Sequence, residues 1–246
     1  MKLALRSLGL SESAVFPTIY PYQPLLIYVA NSTKKGCSRY YHLLRHQANS
    51  KTNLSVREER WHQELNCTLS SNFWTRVYTM TSEIKYDNKV KWLQYQINRN
   101  SLFTNYKVSK FSNEVSAHCT FCQILASQQP KIELISHLFT QCTPVKKLWE
   151  DVSCWLDNLN VYLPLDEKTL IFGCHDQLSS AIPNSVVFHV KYYIWLMKQK
   201  EGLPEISGFL KYFKSKLFDL QNAYLHLNKL YLFNCWANIC DSLSNQ

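Results

Sequence analysis

The fold is decided by the stretch from His118 to Cys142, which reads HCTFCQILASQQPKIELISHLFTQC. Its chemistry lies in the spacing C-x2-C-x14-H-x4-C, formed by Cys119, Cys122, His137 and Cys142. Two cysteines three positions apart can bind one ion from a single tight turn, and a histidine and a cysteine around a helix end can complete a tetrahedron. The spacing therefore predicts one structural zinc ion, bound by three thiolates and an imidazole with no position left for water.

Two other interpretations of these residues stay open at this stage. Buried unpaired cysteines and a core histidine would give the same composition, because free cysteine is common in protein cores. His118 is adjacent to Cys119 and could compete as a ligand, although the spacing favours His137. The remaining cysteines are expected to be plain core thiols, because the first residues do not resemble a secretion signal. They are Cys37, Cys67, Cys154, Cys174, Cys235 and Cys240.

The positive charge is concentrated in one third of the chain. The 246 residues carry a net charge of +9, and the segment from Lys34 to Lys110 has fourteen Lys and Arg against five Asp and Glu. Such a cluster is the electrostatic footprint of contact with an anionic polymer, although a basic surface that only keeps the protein in solution fits the same count. The candidate phosphate contacts are Arg39, Arg45, Lys85, Lys89, Lys91, Arg99, Lys107 and Lys110.

Apolar spacing predicts a mainly α-helical chain. Helices are expected over 55–65, from residue 71, over 88–103, from a cap at Thr143, and over about 185–200 and 205–238. The last carries a long apolar stripe, for which core packing is favoured over a partner-binding face. Trp92 and Tyr95 are candidate stacking groups in the helix over 88–103, although core packing would explain Trp92 equally well.

The pattern divides the chain into three regions. We expect a basic arm at 1–53, a small helical domain at 54–160 stapled by the CCHC zinc site, and a helical C-terminal tail domain at 161–246. No apolar stretch is long enough for a membrane span, so an intracellular location, nuclear or cytoplasmic, is expected. No phosphate-binding loop or nucleophile elbow occurs. The adjacent carboxylates Glu150-Asp151 and Asp166-Glu167 are interpreted as helix-end charges rather than a metal pair, so neither an enzyme nor a small-molecule substrate is predicted.

The order of these features resembles the zinc-binding region that follows the reverse transcriptase in LINE-like non-LTR retrotransposon polyproteins. Trp61, Trp74 and the helix KVKWLQYQI at 89–97 precede C-x2-C, E-x-x-x-H-L-F-x-x-C and a tryptophan. The most specific residues are Glu133, His137, Leu138, Phe139, Cys142 and Trp149. KKGCSRYYHLL upstream resembles the connector to the polymerase thumb, and LIFG at 170–173 and Trp236 resemble the family's tail. The resemblance covers about residues 20 to 240.

The resemblance implies a reverse transcriptase zinc-binding domain that helps a polymerase hold template RNA or target DNA during target-primed reverse transcription. Cys119, Cys122, His137 and Cys142 would be its zinc ligands. The sequence lacks the family's Tyr/Phe-x-Asp-Asp turn and its endonuclease region, so it looks like a C-terminal fragment that does not polymerise. Its partners would be RNA or DNA, and the upstream reverse transcriptase domain. The alternative is a degenerate remnant whose zinc only holds helices together as a structural or protein-interaction module.

Overall fold

Helices account for most of the chain in the computed structural model, which describes residues 53–83, 87–126, 129–174 and 181–244. Within those ranges no strand forms, and the one β-bridge joins His118 to Ile132. The predicted mainly α-helical class is therefore confirmed. The predicted basic arm, with Arg39 and Arg45, lies outside the described residues, as does Lys85.

Three helices begin the described chain: α1 (Asn53–Leu65), α2 (Ser71–Glu83) and α3 (Asn88–Asn98). The expected helix start at Ser55 is wrong, because α1 begins two residues earlier. The hydroxyl of Ser70 accepts the amide of Phe73 at 3.2 Å, so Ser70 rather than Ser71 caps α2. Asp87 caps α3 by accepting two backbone amides, and α3 ends before the predicted residue 103.

Three short elements and one longer helix form or flank the Cys/His segment. They are α4 (Asn105–Val108), α5 (Thr120–Ile124), a π-helical turn (His137–Gln141) and α6 (Thr143–Asp157). The predicted start of α6 is off by one residue, because Cys142 occupies the cap position and Thr143 is already helical. Pro144 lies in the first turn, where its missing N–H costs no helical hydrogen bond.

The C-terminal part contains α7 (Glu167–Phe172), α8 (Ala181–Gln199), α9 (Ile206–His226), a 3-10 helix (Leu230–Trp236) and α10 (Ala237–Ser244). The predicted single helix over 205–238 is thus interrupted. Asn228 adopts a φ of 54°, a left-handed conformation that a helix cannot continue through. The chain then restarts as a 3-10 turn before α10.

The core joins most of these helices into one hydrophobic cluster within the compact unit that runs from Arg57 onward. The apolar stripe of α9 faces this core through Phe209, Phe213 and Leu217, as predicted. The predicted boundary at 160/161 stays a prediction, although the cluster contains side chains from both sides of it. None of the described helices is long and apolar enough to cross a lipid bilayer.

Candidate metal centre and basic helix

Cys119, Cys122, His137 and Cys142 converge on one buried point, where their ligand atoms all lie within 4.8 Å of one another. The Sγ atom of Cys142 is 3.8 Å from that of Cys119 and 3.7 Å from that of Cys122. The Nε2 atom of His137 is 3.3 Å from the Sγ atom of Cys122. The structure therefore brings together the four predicted ligands in a group that could hold one metal ion.

Local backbone structure places each of these side chains. Cys119 occupies the N-cap position of α5, one turn from Cys122, and its amide donates to the carbonyl of Lys131 at 2.8 Å. The amide of Cys142 donates to the carbonyl of His137, five residues earlier, at 2.9 Å. A hydrogen bond between residues five apart is the type found in a π-helix. It can form here because four residues separate the histidine from the cysteine. A widened turn thus directs both side chains to the same point.

A buried carboxylate, that of Glu133, fixes the cysteine side of the centre. It accepts the amide of Asn105 at 2.8 Å and the amide of Thr120, the residue after Cys119, at 3.2 Å. Lys198 of α8 forms an ion pair with it at 2.7 Å. Glu133 belonged to the motif behind the family resemblance, but the sequence alone assigned it no role.

A second carboxylate, that of Glu64 in α1, fixes the histidine side. It accepts the amide of Ser136, the residue before His137, at 2.8 Å. Its other oxygen accepts the side-chain amide of Asn100 at 2.9 Å. Sequence reasoning missed this contact because it joins positions that are distant in the chain. The only available signal was one acidic residue near the end of an amphipathic helix.

Hydrogen bonding between the thiols shifts their pKa values in opposite directions. The hydrogen bond from Cys142 lowers the pKa of Cys119 to about 4 and raises the pKa of Cys142, which keeps the proton. Burial raises the pKa of Cys122. The donor group by itself therefore favours one thiolate. A bound divalent cation would favour three thiolates, because it attracts each negative charge.

Other candidate ligands lie outside this group. The Nδ1 atom of His118 is 2.9 Å from the hydroxyl of Ser116, and His118 is not one of the four converging residues. The expectation that the remaining cysteines are core residues is wrong for Cys154 and Cys235, which are exposed. Both lie on helical surfaces that face solvent, whereas Cys174 is buried as expected.

The basic helix α3 presents its charged and aromatic residues away from the core. Val90, Leu93 and Ile97 are buried, as predicted from their spacing. Trp92 is 61% exposed, so the core-packing interpretation of this residue is wrong. The same spacing could have shown this, because Trp92 falls on the helix face opposite the buried residues. Lys89 is exposed and Lys91 is half-buried.

The two lysines after α3 have different environments. The Lys107 ammonium donates to the backbone and side-chain oxygens of Asn100 at 2.5 and 2.7 Å, and burial lowers its pKa to about 8. Lys110 is exposed, and its ammonium lies 4.2 Å from the ring centre of Tyr106. Lys107 is thus engaged within the chain, while Lys110 faces solvent. Contact of either lysine with nucleic acid stays a prediction.

A scan against protein-family models finds no match for this chain, and no curated protein matches it. A proposal of function therefore rests on the candidate metal centre, on the basic helix α3 and on the resemblance of the motif order to the LINE-like reverse transcriptase region.

Proposed function

We propose that this chain is a non-catalytic, zinc-stabilised module that binds RNA or DNA, as the resemblance to the LINE-like reverse transcriptase region implies. The observation that carries the proposal is a set of cations, on α3 and at its end, that form no ion pair within the described part of the chain. Zinc would be structural, since the four ligands complete its coordination, and the nucleic acid would bind the surface that the folded module presents.

The donor group fits zinc in both chemistry and distance. With tetrahedral zinc–sulfur bonds of about 2.3 Å, two thiolates lie about 3.8 Å apart, and a thiolate and an imidazole nitrogen about 3.5 Å apart. The sulfur–sulfur distances are 3.8 and 3.7 Å, and the sulfur–nitrogen distance is 3.3 Å. Thiolate-rich donor sets favour soft or borderline ions over magnesium or calcium. These three distances therefore support the proposal of a zinc ion.

The cations of α3 have no counter-charge among the described residues. Within the described ranges, Lys89, Lys91 and Arg99 form no ion pair with a carboxylate, and α3 itself contains no acidic residue. Two lysines of the C-terminal part behave differently: Lys198 pairs with Glu133, and Lys216 pairs with Asp87. A surface that keeps several cations unneutralised attracts an anionic polymer.

Hydrogen bonds connect the metal centre to the end of α3. Glu64 joins Ser136, next to His137, to Asn100, which lies two residues beyond the end of α3. The indole N–H of Trp61 donates to the carbonyl of Asn98 at 3.1 Å. Loss of the metal centre would therefore disturb the end of the basic helix.

Charge removal on α3 tests the proposal. The double variant Lys89→Gln/Lys91→Gln should bind labelled RNA and DNA about tenfold more weakly in fluorescence anisotropy, with a salt slope lower by about 1.5. The matched control is Lys146→Gln/Lys147→Gln, which removes two exposed charges from α6. Circular dichroism should show an unchanged fold in both. Absence of binding by the wild type, or equal losses in the two double variants, would contradict the proposal and favour a protein-interaction module.

A further inference from the structure

The exposed side of α3 carries a ridge of three side chains, Trp92, Tyr95 and Arg99. Their spacing of three and four residues places them on one helix face. The buried residues of α3, which include Val90 and Ile97, occupy the opposite face. An exposed tryptophan at the centre of a helix gains nothing from core packing, so another role has to explain it.

The ridge is ordered by stacking. The rings of Trp92 and Tyr95 have centroids 5.5 Å apart and planes within 15° of each other. The guanidinium carbon of Arg99 lies 4.3 Å from the ring centre of Tyr95, and its Nε atom is buried without a hydrogen-bond partner among the described residues. Cation, phenol and indole therefore form a continuous stack. Because the stack is ordered before any ligand arrives, little side-chain entropy is lost on binding.

The flanks of the ridge carry positive charge. At about 100° per residue, Lys89 and Lys91 fall on opposite sides of the face that Trp92 occupies. Their ammonium groups can reach phosphates on either side of a chain that crosses the indole. Asp87, the acidic residue next to α3, is already neutralised by Lys216 at 3.0 Å.

We infer that the ligand of α3 is an unpaired segment of nucleic acid whose bases stack on Trp92 while its phosphates contact Lys89 and Lys91. This inference rests on the proposed function and adds the ligand class. In a duplex the base faces are covered by neighbouring pairs, so an indole cannot stack on them without unstacking the helix. Unpaired bases offer free faces, and base–aromatic stacking combined with a basic groove is how single strands bind with little sequence preference.

The test separates base stacking from phosphate binding. The probes are oligodeoxyadenylate and oligoadenylate of about twelve nucleotides, an abasic strand of equal length and a blunt-ended duplex without a loop. Trp92→Ala should weaken binding of the base-containing single strands about tenfold, by the value of one stacked base. Binding of the abasic strand and of the duplex should not change. The DNA and RNA arms show which sugar the surface accepts.

Further variants control for surface and fold. Trp92→Phe should restore most of the lost affinity and Trp92→Leu should not, because only phenylalanine offers an aromatic face. Tyr162→Ala removes an aromatic side chain that is 65% exposed elsewhere and should have no effect. A duplex bound as tightly as the single strands, or a Trp92→Ala variant that binds all probes like the wild type, would overturn the inference alone. Failure of the wild type to bind any probe would overturn the proposed function with it.

Discussion

A buried carboxylate, that of Glu133, and a half-buried one, that of Glu64, hold the backbone on either side of the Cys/His group. Glu133 accepts the amide of Thr120, the residue after Cys119, and Glu64 accepts the amide of Ser136, the residue before His137. An ionised carboxylate that accepts backbone N–H groups fixes those groups strongly, and it is costly to leave any partner unpaired in the interior. Both residues therefore hold the candidate metal ligands in position.

Replacement of Glu133 tests this positioning role. Glu133→Gln leaves Lys198 without its counter-charge, so unfolding of the metal-loaded protein should cost about 3 kcal/mol less. Metal affinity should fall about tenfold or more, the effect expected when a group that orients ligands is lost. Chemical denaturation and competition with a chromophoric chelator measure the two quantities. Glu150→Gln, an exposed change on α6, should affect neither. Equal behaviour of the two variants would argue against the role.

Replacement of a single ligand tests the metal centre itself. Wild-type protein should contain one zinc per chain in elemental analysis, and Cys119→Ser should lose it together with thermal stability, because metal binding contributes directly to folding. Cys154→Ser is the matched control, since that thiol is exposed on α6. Retention of zinc in Cys119→Ser, or a different metal in the wild type, would contradict the assignment.

The convergence of the four candidate metal ligands could be predicted from the sequence because their geometry is local. Cys119 and Cys122 share one turn, and His137 and Cys142 share another. The contact of Glu64 with Ser136 could not be predicted, because it depends on how α1 packs against the π-helical turn. The exposure of Trp92 lay within reach of the helical spacing, but the aromatic content of the segment also suggested a core.

The end of α7 depends on one glycine. Gly173 ends α7 with a φ of 101°, a conformation that side chains with a Cβ rarely adopt. The next amide, that of Cys174, donates to the Oδ1 atom of Asn184 at 2.6 Å. The side-chain amide of Asn184 donates in turn to the carbonyl of Cys174 at 3.3 Å. This pair of bonds holds the start of α8 against the end of α7.

Gly173→Ala should therefore destabilise the fold by about 2 kcal/mol, from backbone strain and from overpacking. Its Cβ atom would lie 2.8 Å from the Oδ1 atom of Asn184. Gly202→Ala is the matched control, because its Cβ atom would meet only the flexible end of Met197, at 2.7 Å. Urea denaturation compares the two. A loss as large in Gly202→Ala as in Gly173→Ala would show that the turn conformation is not the cause.

Helix existence followed from the sequence far better than helix ends. The buried positions of α3, α6 and α9 recur at helical spacing, and such a signal accumulates over many residues. An end depends on one residue. Ser70 and Ser71 are equally suitable N-caps by residue type, and only the structure shows that Ser70 is the one used. Asn228 ends the last predicted helix through its own backbone conformation. The 3-10 helix after that break carries no distinct signal in the spacing.

Polar contacts inside the molecule tie the basic helix to the C-terminal helices. Lys216 of α9 forms an ion pair with Asp87 at the start of α3, at 3.0 Å. Burial opposes ionisation of Asp87, but the Val90 amide and Lys216 lower its pKa below the ordinary value of 3.8. Nearby in α8, the Nδ1 atom of His189 is 3.0 Å from the hydroxyl of Tyr212, and burial lowers the pKa of His189 from 6.5 to about 4.

The half-buried His189 predicts a loss of stability in acid. Between pH 6.5 and about 4 the unfolded chain binds a proton at His189 that the folded chain does not. The free energy of unfolding should therefore fall with decreasing pH, by about 3 kcal/mol over this window. His189→Gln should flatten that slope, whereas His226→Gln, an exposed change at the end of α9, should leave it intact. Denaturation curves of the wild type and the two variants across this pH range test the prediction, because any release of metal in acid affects the three proteins alike.

Removal of the metal should lower the thermal stability of the C-terminal helices as well as of the Cys/His segment, because the three candidate cysteine ligands belong to the same hydrophobic cluster as the buried residues of α8 and α9. A zinc chelator should lower the melting temperature seen by circular dichroism and broaden the transition. Added zinc should restore both, with a melting temperature that rises with free zinc, and added magnesium should not. Nucleic-acid binding should fall and recover in parallel, since Glu64 couples the histidine side of the centre to the end of α3. A melting curve that the chelator leaves unchanged would show that the helices hold together without the ion.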